Sequence, residues 1–196
     1  MALTQDSDLF SHLREIHHQY RQTPDPEGKK FFYSTECRQI CRQDPSYAAR
    51  ERDTIARYLK ESGALVNRVL RDAGLIDDAS GTLQVKASCY TVRPLTESES
   101  DEFGTTEVVA PAGFSSVEDI QAKARSDKWK GLRVNMWTDD GFGKGLLVKV
   151  KYWWRLEEAE VGGEVWRQIL HDILYLGPRD GTEESEGGIL VQDSMA

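Results

Sequence analysis

The segment from Gly131 to Leu176 places the strongest constraint on the fold, because its apolar residues alternate with polar ones. If residues 139–145 form the loop of a hairpin, three apolar pairs fall on one face: Met136 with Val148, Val134 with Val150, and Leu132 with Tyr152. An antiparallel pair of strands with one buried face requires this alternation. A slip of one residue would turn every side chain to the opposite face. The pattern therefore predicts two paired strands.

A third strand follows if Gly162 and Gly163 form a two-residue hairpin turn. With that turn, Tyr152 faces Ile173 and Val150 faces Tyr175. Because Val150 and Tyr152 keep the same face in both pairings, the sequence predicts a three-stranded antiparallel meander over residues 132–176. A helix is the alternative for residues 164–176, since several apolar residues there also follow a helical period: Trp166, Ile169, Leu170, Ile173 and Leu174.

The first 76 residues are typical of a helical region. Apolar residues in the first segment recur at three- to four-residue spacing: Leu9, Leu13, Ile16 and Tyr20. A short second helix is predicted from Ser34 to about Arg42. A third helix is predicted to begin at Asp44-Pro45, which combines a capping residue with proline at the first helical position, and to end at Gly74.

These patterns predict an α+β fold with two regions. Residues 1–76 form an N-terminal helical region of three or four helices, and residues 77–196 form an antiparallel β-meander with one helix. That helix starts at a capping box, Ser115–Glu118, and runs to about Lys128. Residues 96–107 form an acidic, polar loop between two strand candidates: the alternating residues 83–93 and a short apolar run, Val108–Ala110.

Composition limits the class of protein. The net charge is −8, and it is uneven: residues 1–75 carry 12 Lys and Arg against 11 Asp and Glu, whereas residues 76–196 carry 13 against 22. An acidic surface disfavours nucleic acid as a partner. Three cysteines, and no N-terminal signal segment, predict an intracellular protein, cytoplasmic or nuclear. No apolar run reaches the roughly 20 residues that span a bilayer, so no membrane association is expected.

No motif in the chain is specific enough to name an activity. The loop at Asp139–Gly145 carries three glycines, a lysine and two aspartates, but a strand pattern follows it, and a phosphate-binding loop needs a helix there. Two adjacent aspartates before a glycine are typical of a turn. Cys37 and Cys41 alone are too few for a zinc site. We therefore expect no metal and no cofactor.

His171 is the best candidate for a catalytic base, since Asp172 follows it and the predicted meander places it opposite Trp154. A lone histidine is more often structural. The absence of a catalytic signature favours a protein that is not an enzyme, without deciding the matter. An enzyme with a site between the helical and β regions, involving Asp139, Asp140 or His171, is the alternative.

The outer face of the predicted meander is unusual because it mixes tryptophan with cations. It carries the six residues that we predict to bind a partner: Arg133, Trp137, Lys149, Lys151, Trp153 and Arg155. Tryptophan and arginine are enriched where proteins bind each other. The sequence therefore predicts a protein-binding or regulatory subunit. A single-stranded nucleic acid and an aromatic cage for a methylated lysine are further alternatives for this face, as is burial beneath a neighbouring helix.

Overall fold

The computed structural model describes residues 2–76, 85–159 and 161–193, and for residues 2–6 only the backbone. Its α-helices are α1 (Ala2–Gln22), α2 (Pro26–Lys29), α3 (Arg52–Asp72), α4 (Glu97–Ser100), α5 (Thr106–Val109) and α6 (Val117–Ser126). Its strands are β1 (Tyr33–Cys41), β2 (Ala87–Pro94), β3 (Lys130–Asp139), β4 (Leu146–Glu158), β5 (Glu164–Pro178) and β6 (Ile189–Gln192). Single 3₁₀ turns lie at Lys30–Phe32, Pro45–Tyr47 and Ala110–Ala112. The start of the predicted strand at Leu83 lies outside the described residues.

All six strands form one mixed sheet in the order β1-β5-β4-β3-β2-β6. The pair β1–β5 is parallel and the other pairs are antiparallel. The predicted fold class was therefore wrong. A helical region followed by a simple meander leaves out β1, which lies inside the predicted helical region and extends the sheet beside β5. On the other side the sheet is extended by β2, which overlaps the predicted strand at residues 83–93, and by β6.

The main error concerns residues 34–42, which are strand β1 and not a helix. Cys37 packs into the core on one face of the sheet and Ile40 into the core on the other, and both are fully buried. A parallel strand that is buried on both faces lacks the simple alternation of an exposed strand. The resulting spacing of Cys37, Ile40 and Cys41 imitates a helical period.

The hairpin of β3 and β4 has the predicted register. Leu132 pairs with Tyr152, Val134 with Val150, and Met136 with Val148. Residues 164–176 lie within strand β5, so the helical alternative is wrong for them.

The predicted register of β4 with β5 was wrong, because Tyr152 pairs with His171 and Val150 with Ile173. Two features shift it. The connection is longer than a two-residue turn, with the N–H of Ala159 bonded to the carbonyl of Gly163. The pairing is also irregular at Lys149–Val150 and at Trp153–Trp154. Each bulge moves the strand by one residue relative to its partner.

Helices α1 and α3 cover one face of the sheet. The predicted apolar stripe of α1 is confirmed: Leu13 and Tyr20 are buried, and Leu9 and Ile16 pack against the same core. Helix α3 starts at Arg52, later than predicted, because Pro45–Tyr47 forms a separate 3₁₀ turn capped by Asp44. Its residues Ile55, Tyr58 and Leu59 face this core.

The opposite face is covered by the segment between β2 and β3. Part of this segment was predicted as a polar loop, and Val108–Ala110 as a strand, but it contains α4, α5 and the turn at Ala110–Ala112. Phe103 inserts from it and stacks on Trp153, with ring centroids 5.0 Å apart. Helix α6 is confirmed, with the Ser116 hydroxyl accepting from the N–H of Asp119. The sheet is therefore buried on both sides.

A chain of ion pairs joins the sheet to this covering segment. Asp172 on β5 is fully buried, and its carboxylate accepts two hydrogen bonds from Arg42, at 2.6 and 2.9 Å. Arg42 also holds Glu102, and Glu102 pairs with the buried Nζ of Lys151 at 2.7 Å. These contacts hold the carboxyl end of β1 against β5 and the covering segment against β4.

We predict that Asp172→Asn lowers the free energy of unfolding by about 3 kcal/mol, because it leaves part of a buried ion pair uncompensated. Urea unfolding monitored by circular dichroism measures this change. Asp101→Asn is the matched control, since Asp101 pairs with Arg125 on the surface, where both side chains are mostly exposed. Equal effects of the two substitutions would contradict the prediction.

Candidate ligand cavity

Helices α1 and α3 cover one face of the sheet, and a cavity of about 300 Å³ lies on that face, beneath α3. Its walls are mainly apolar, with Ile55 and Leu59 from α3 opposite Val148, Val150 and Ile173 from the sheet. This volume is at the lower end of the range for small-molecule sites. The cavity therefore fits a molecule of one or two rings with little polar surface.

One end of the cavity carries a cluster of aromatic and imidazole rings. Tyr20, Tyr152 and His171 line it. The His171 ring lies 4.9 Å from the Tyr152 ring and 5.2 Å from the Tyr33 ring, centroid to centroid. The hydroxyls of Tyr20 and Tyr33 are 3.0 Å apart and hydrogen-bonded. All four side chains are buried. This cluster forms a polar end of a mainly apolar cavity, whose lining also includes the polar residues Arg21, Gln39, Ser62, Ser88 and Thr138.

Gln168 orients His171. The Nε2 atom of His171 lies 2.5 Å from Oε1 of Gln168, which is itself fully buried. With this amide orientation, Nε2 carries the proton and Nδ1 keeps its lone pair. Among the described residues, Nδ1 has no hydrogen-bond partner. His171 therefore presents the cavity with a ring whose remaining nitrogen can accept a hydrogen bond.

Burial keeps this cluster uncharged at neutral pH. It lowers the pKa of His171 to about 3, helped by the positive charge of Lys29. It also raises the pKa of Tyr20, Tyr33 and Tyr152 well above the ordinary value. At neutral pH, His171 is a hydrogen-bond acceptor and the tyrosines are donors. None of them is a charged group for an ionic ligand.

A second buried histidine lies behind the cluster. The His17 ring is 4.8 Å from the Tyr152 ring, and neither of its nitrogens has a hydrogen-bond partner among the described residues. Burial lowers the pKa of His17 well below the usual value, and the charge of Arg21 lowers it further. His17 is therefore neutral, and it packs as an aromatic ring.

A polar group also lies beside the cavity at the end of β6. Arg21 and Ser88 line the cavity and both bind the carboxylate of Asp193, the serine at 3.0 Å. Arg21 also donates to the sulfur of Met136. The Nε of Arg21 and the Oδ1 of Asp193 are buried and have no hydrogen-bond partner in the part of the chain that the structure describes. These contacts of Asp193, which follows β6, hold that edge strand against α1 and β2 next to the cavity.

Comparison with known proteins identifies the family. The family model of the SnoaL-like domain matches residues 2–192, which is nearly the whole chain. The chain belongs to the SnoaL-like domain family. No curated protein and no solved structure gives a significant match to it. The family assignment agrees with a mixed α+β fold around a ligand cavity, and it gives no support to the predicted regulatory subunit.

This SnoaL-like domain buries most of the surface that the sequence predicted to bind a partner. Arg133, Trp137, Lys151 and Trp153 are buried, and the side chains of Lys149 and Arg155 are less than a fifth exposed. That these residues bind a partner remains a prediction. Their charges already have partners inside the chain: Glu186 binds Arg133 and Lys149, Glu102 binds Lys151, and Glu36, Asp127 and Glu157 bind Arg155.

The glycine-rich loop of the SnoaL-like domain is built as a turn. The Asp140 carboxylate accepts the backbone N–H groups of Phe142 and Lys144, and Asp139 accepts that of Gly141 and pairs with Arg179. A side chain at Gly145 would place Cβ 1.8 Å from the carbonyl oxygen of Thr138. The loop residues therefore serve the hairpin, and Asp139 and Asp140 do not line the cavity.

Cys37 and Cys41 lie in β1 and are buried. In residues 2–76, 85–159 and 161–193, no group of three or more His, Cys, Asp and Glu side chains could hold a metal ion. Across the same ranges, no helix has the length and apolar character that crossing a membrane requires.

Of the residues that line the cavity, sequence reasoning named His171 as a possible base and Trp137 as a partner-binding residue, and it gave no function to the others. It named His171 as a possible base, but placed it opposite Trp154, whereas His171 lies opposite Tyr152. Tyr20 was assigned only to the apolar stripe of α1. The sequence did contain one indication of the cavity: tyrosine and histidine occupy core-facing positions where an ordinary core would have leucine.

We predict that the SnoaL-like domain loses stability as the pH falls from 7 to 5. The two buried histidines stay neutral in the native state, whereas in the unfolded chain they gain protons below pH about 6.5. At pH 5 each one lowers the free energy of unfolding by about 2 kcal/mol. The carboxylates of Glu99, Glu102 and Glu186 have pKa values of about 2 in the folded protein. Their stabilising contribution is lost only as the pH falls below about 4.5, so it does not explain a change between pH 7 and pH 5.

His17→Phe tests this prediction, because it removes a titrating ring that makes no hydrogen bond. Urea unfolding at pH 7, 6 and 5 should give a pH dependence that is smaller by about 2 kcal/mol. His12→Gln, at an exposed position, is the control. A pH dependence that is the same in His17→Phe and in the unaltered protein would refute the explanation.

Proposed function

We propose that this SnoaL-like domain binds a small, mainly apolar molecule that carries a neutral hydroxyl or carbonyl group. The observation that carries the proposal is the division of the cavity into apolar walls and one polar end with Tyr20, Tyr152 and His171. Apolar walls supply affinity through burial, and a few placed polar groups supply orientation. Ring stacking against the tyrosines favours a flat ligand.

The ionisation of the cluster favours a neutral ligand. His171 and the tyrosines are uncharged at neutral pH, so a charged ligand group would lose its water without gaining an ion pair from them. Arg21, the charged side chain of the described lining, is already paired with Asp193. A hydroxyl can donate to Nδ1 of His171 and accept from a tyrosine hydroxyl. A hydrogen bond of this kind contributes about 1 kcal/mol, because it replaces bonds to water.

Proton transfer on the bound molecule is the second candidate function, and it corresponds to the enzyme alternative from the sequence. The orientation of His171 by Gln168 favours it, since a general base needs a fixed tautomer. A pKa of about 3 makes His171 a weak base at neutral pH. Binding is therefore the main proposal. Catalysis would require the bound ligand to raise the pKa of His171.

We predict that 2-naphthol binds in the cavity about fivefold more tightly than naphthalene, because only the naphthol can bond to the polar end. Isothermal titration calorimetry at pH 7 measures both affinities. His171→Phe should remove the preference for the hydroxyl while it leaves the affinity for naphthalene within about twofold. A preference that survives in His171→Phe would place the hydroxyl elsewhere.

A second variant tests the location. Ile173→Trp fills the cavity from β5 and should abolish binding of both compounds. Ile189→Trp is the matched control, since Ile189 is exposed on β6 and does not line the cavity. Melting temperatures of the two variants show whether each is folded. If folded Ile173→Trp binds 2-naphthol normally, the cavity is not the site.

A further inference from the structure

A second pocket lies on the opposite side of the sheet, between β1 and α6. It has a volume of about 270 Å³, and its described lining consists of three cations, three apolar side chains and one acidic residue, Glu36. The cations are Arg38, Arg50 and Lys123, and the apolar side chains are Phe114, Trp129 and Ile169. We call these seven residues the basic pocket. It shares no residue with the ligand cavity.

The backbone brings two of the cations together. Gln39 and Ala49 form an isolated antiparallel bridge, each N–H bonded to the other carbonyl at 2.9 Å. In the register of that bridge, Arg38 lies opposite Arg50. Like charges directly opposite each other in an antiparallel pair are destabilising. The fold therefore places two cationic side chains at facing positions, where their charges repel each other.

Contacts at Gly113 confirm that the two side chains converge. A Cβ atom on Gly113 would lie 3.4 Å from Nη1 of Arg38 and 3.4 Å from Cδ of Arg50. Arg38 donates to the carbonyl of Gly113 and lies over the Phe114 ring, with Cζ 4.6 Å from the centroid. Arg50 donates to the carbonyl of Pro111 at 3.2 Å. Each guanidinium is thus positioned through one N–H group.

Nothing in the described chain neutralises the pair. Neither Arg38 nor Arg50 forms an ion pair with any described residue. The one carboxylate of the basic pocket, Glu36, is held by Arg155 at 3.0 Å, and Lys123 approaches it only to 3.9 Å. Each guanidinium has five N–H groups, so most of their donors remain available. This arrangement is notable in a chain with a net charge of −8.

We infer that the basic pocket binds an oxyanion carried on an apolar or aromatic body. Two adjacent guanidinium groups match the geometry of a phosphate or carboxylate, and Lys123 adds a third charge. Phe114, Ile169 and the Trp129 ring provide a surface for the rest of the ligand. This site goes beyond the proposed function, because it lies on the other face of the sheet and prefers the opposite kind of ligand.

Phenyl phosphate, benzoate and inorganic phosphate are the probes, and benzyl alcohol is the neutral control. Titration calorimetry at pH 7.5 in 20 mM NaCl should show phenyl phosphate binding at least tenfold more tightly than benzyl alcohol. Binding should weaken in 300 mM NaCl, because salt screens the attraction. Comparison of phenyl phosphate with benzoate distinguishes a phosphate ligand from a carboxylate, and comparison with inorganic phosphate measures the contribution of the apolar body.

The double variant Arg38→Gln/Arg50→Gln should bind phenyl phosphate at least tenfold more weakly. Arg57→Gln, an exposed arginine of α3 outside the basic pocket, should bind it as the unaltered protein does. Arg50→Gln alone should raise the melting temperature in anion-free buffer, since it relieves the repulsion, and should reduce the rise that phosphate produces. A purely structural role for Arg50 predicts the reverse change in melting temperature.

Three results would overturn the inference. The first is that neither phenyl phosphate nor benzoate binds the unaltered protein in 20 mM NaCl. The second is that the double variant, shown to be folded by circular dichroism, binds as tightly as the unaltered protein. The third is that Arg57→Gln weakens binding as much as the double variant does, which would indicate attraction to the general surface.

Discussion

The rest of this SnoaL-like domain depends on the neutralisation of one buried charge, the carboxylate of Asp172. A charge at a fully buried position of β5 needs a partner, and Arg42 supplies it from the end of β1. Arg42 then holds Glu102, which holds Lys151. The ion pair of Asp172 with Arg42 thus holds the parallel edge strand β1 against β5. Through Glu102, the same arginine also holds the segment between β2 and β3 that covers the second face. With that face closed, the cavity on the first face is backed by a sheet that also packs against a core on its other face.

The parts of the fold that could be predicted are those set by local pattern. The β3–β4 hairpin follows from alternation, and its turn residues, including Gly145, leave no other register. The helices α1 and α6 follow from spacing and from the Ser116 cap. Strand β1 could not be predicted in this way, because Cys37 and Ile40 serve two cores and its partner β5 lies more than 100 residues away.

The candidate site was harder to predict than the fold because it depends on register. A shift of two residues between β4 and β5 decides whether His171 lies beside Tyr152. The longer connection between Ala159 and Gly163 and the bulge at Trp153–Trp154 together set that shift, and nothing in the residues around Trp153 signals the bulge. The mixed face with Arg133, Lys151 and Trp153 was correctly seen as unusual, yet its cations already have carboxylate partners within the chain. Sequence shows that such a face exists but not what covers it.

Strand β5 contributes neighbouring residues to the two sides of the sheet. Gln168 orients His171 in the ligand cavity, while Ile169, the next residue, forms part of the basic pocket. A displacement of the strand backbone at this point moves both side chains, because the two residues share a peptide unit. Two occupants, one on each face, would therefore act on the same few bonds of backbone, and any influence of one on the other would be mutual by thermodynamic necessity. The two sites are separated at this point by a single strand, so binding at one can affect the other through one peptide unit.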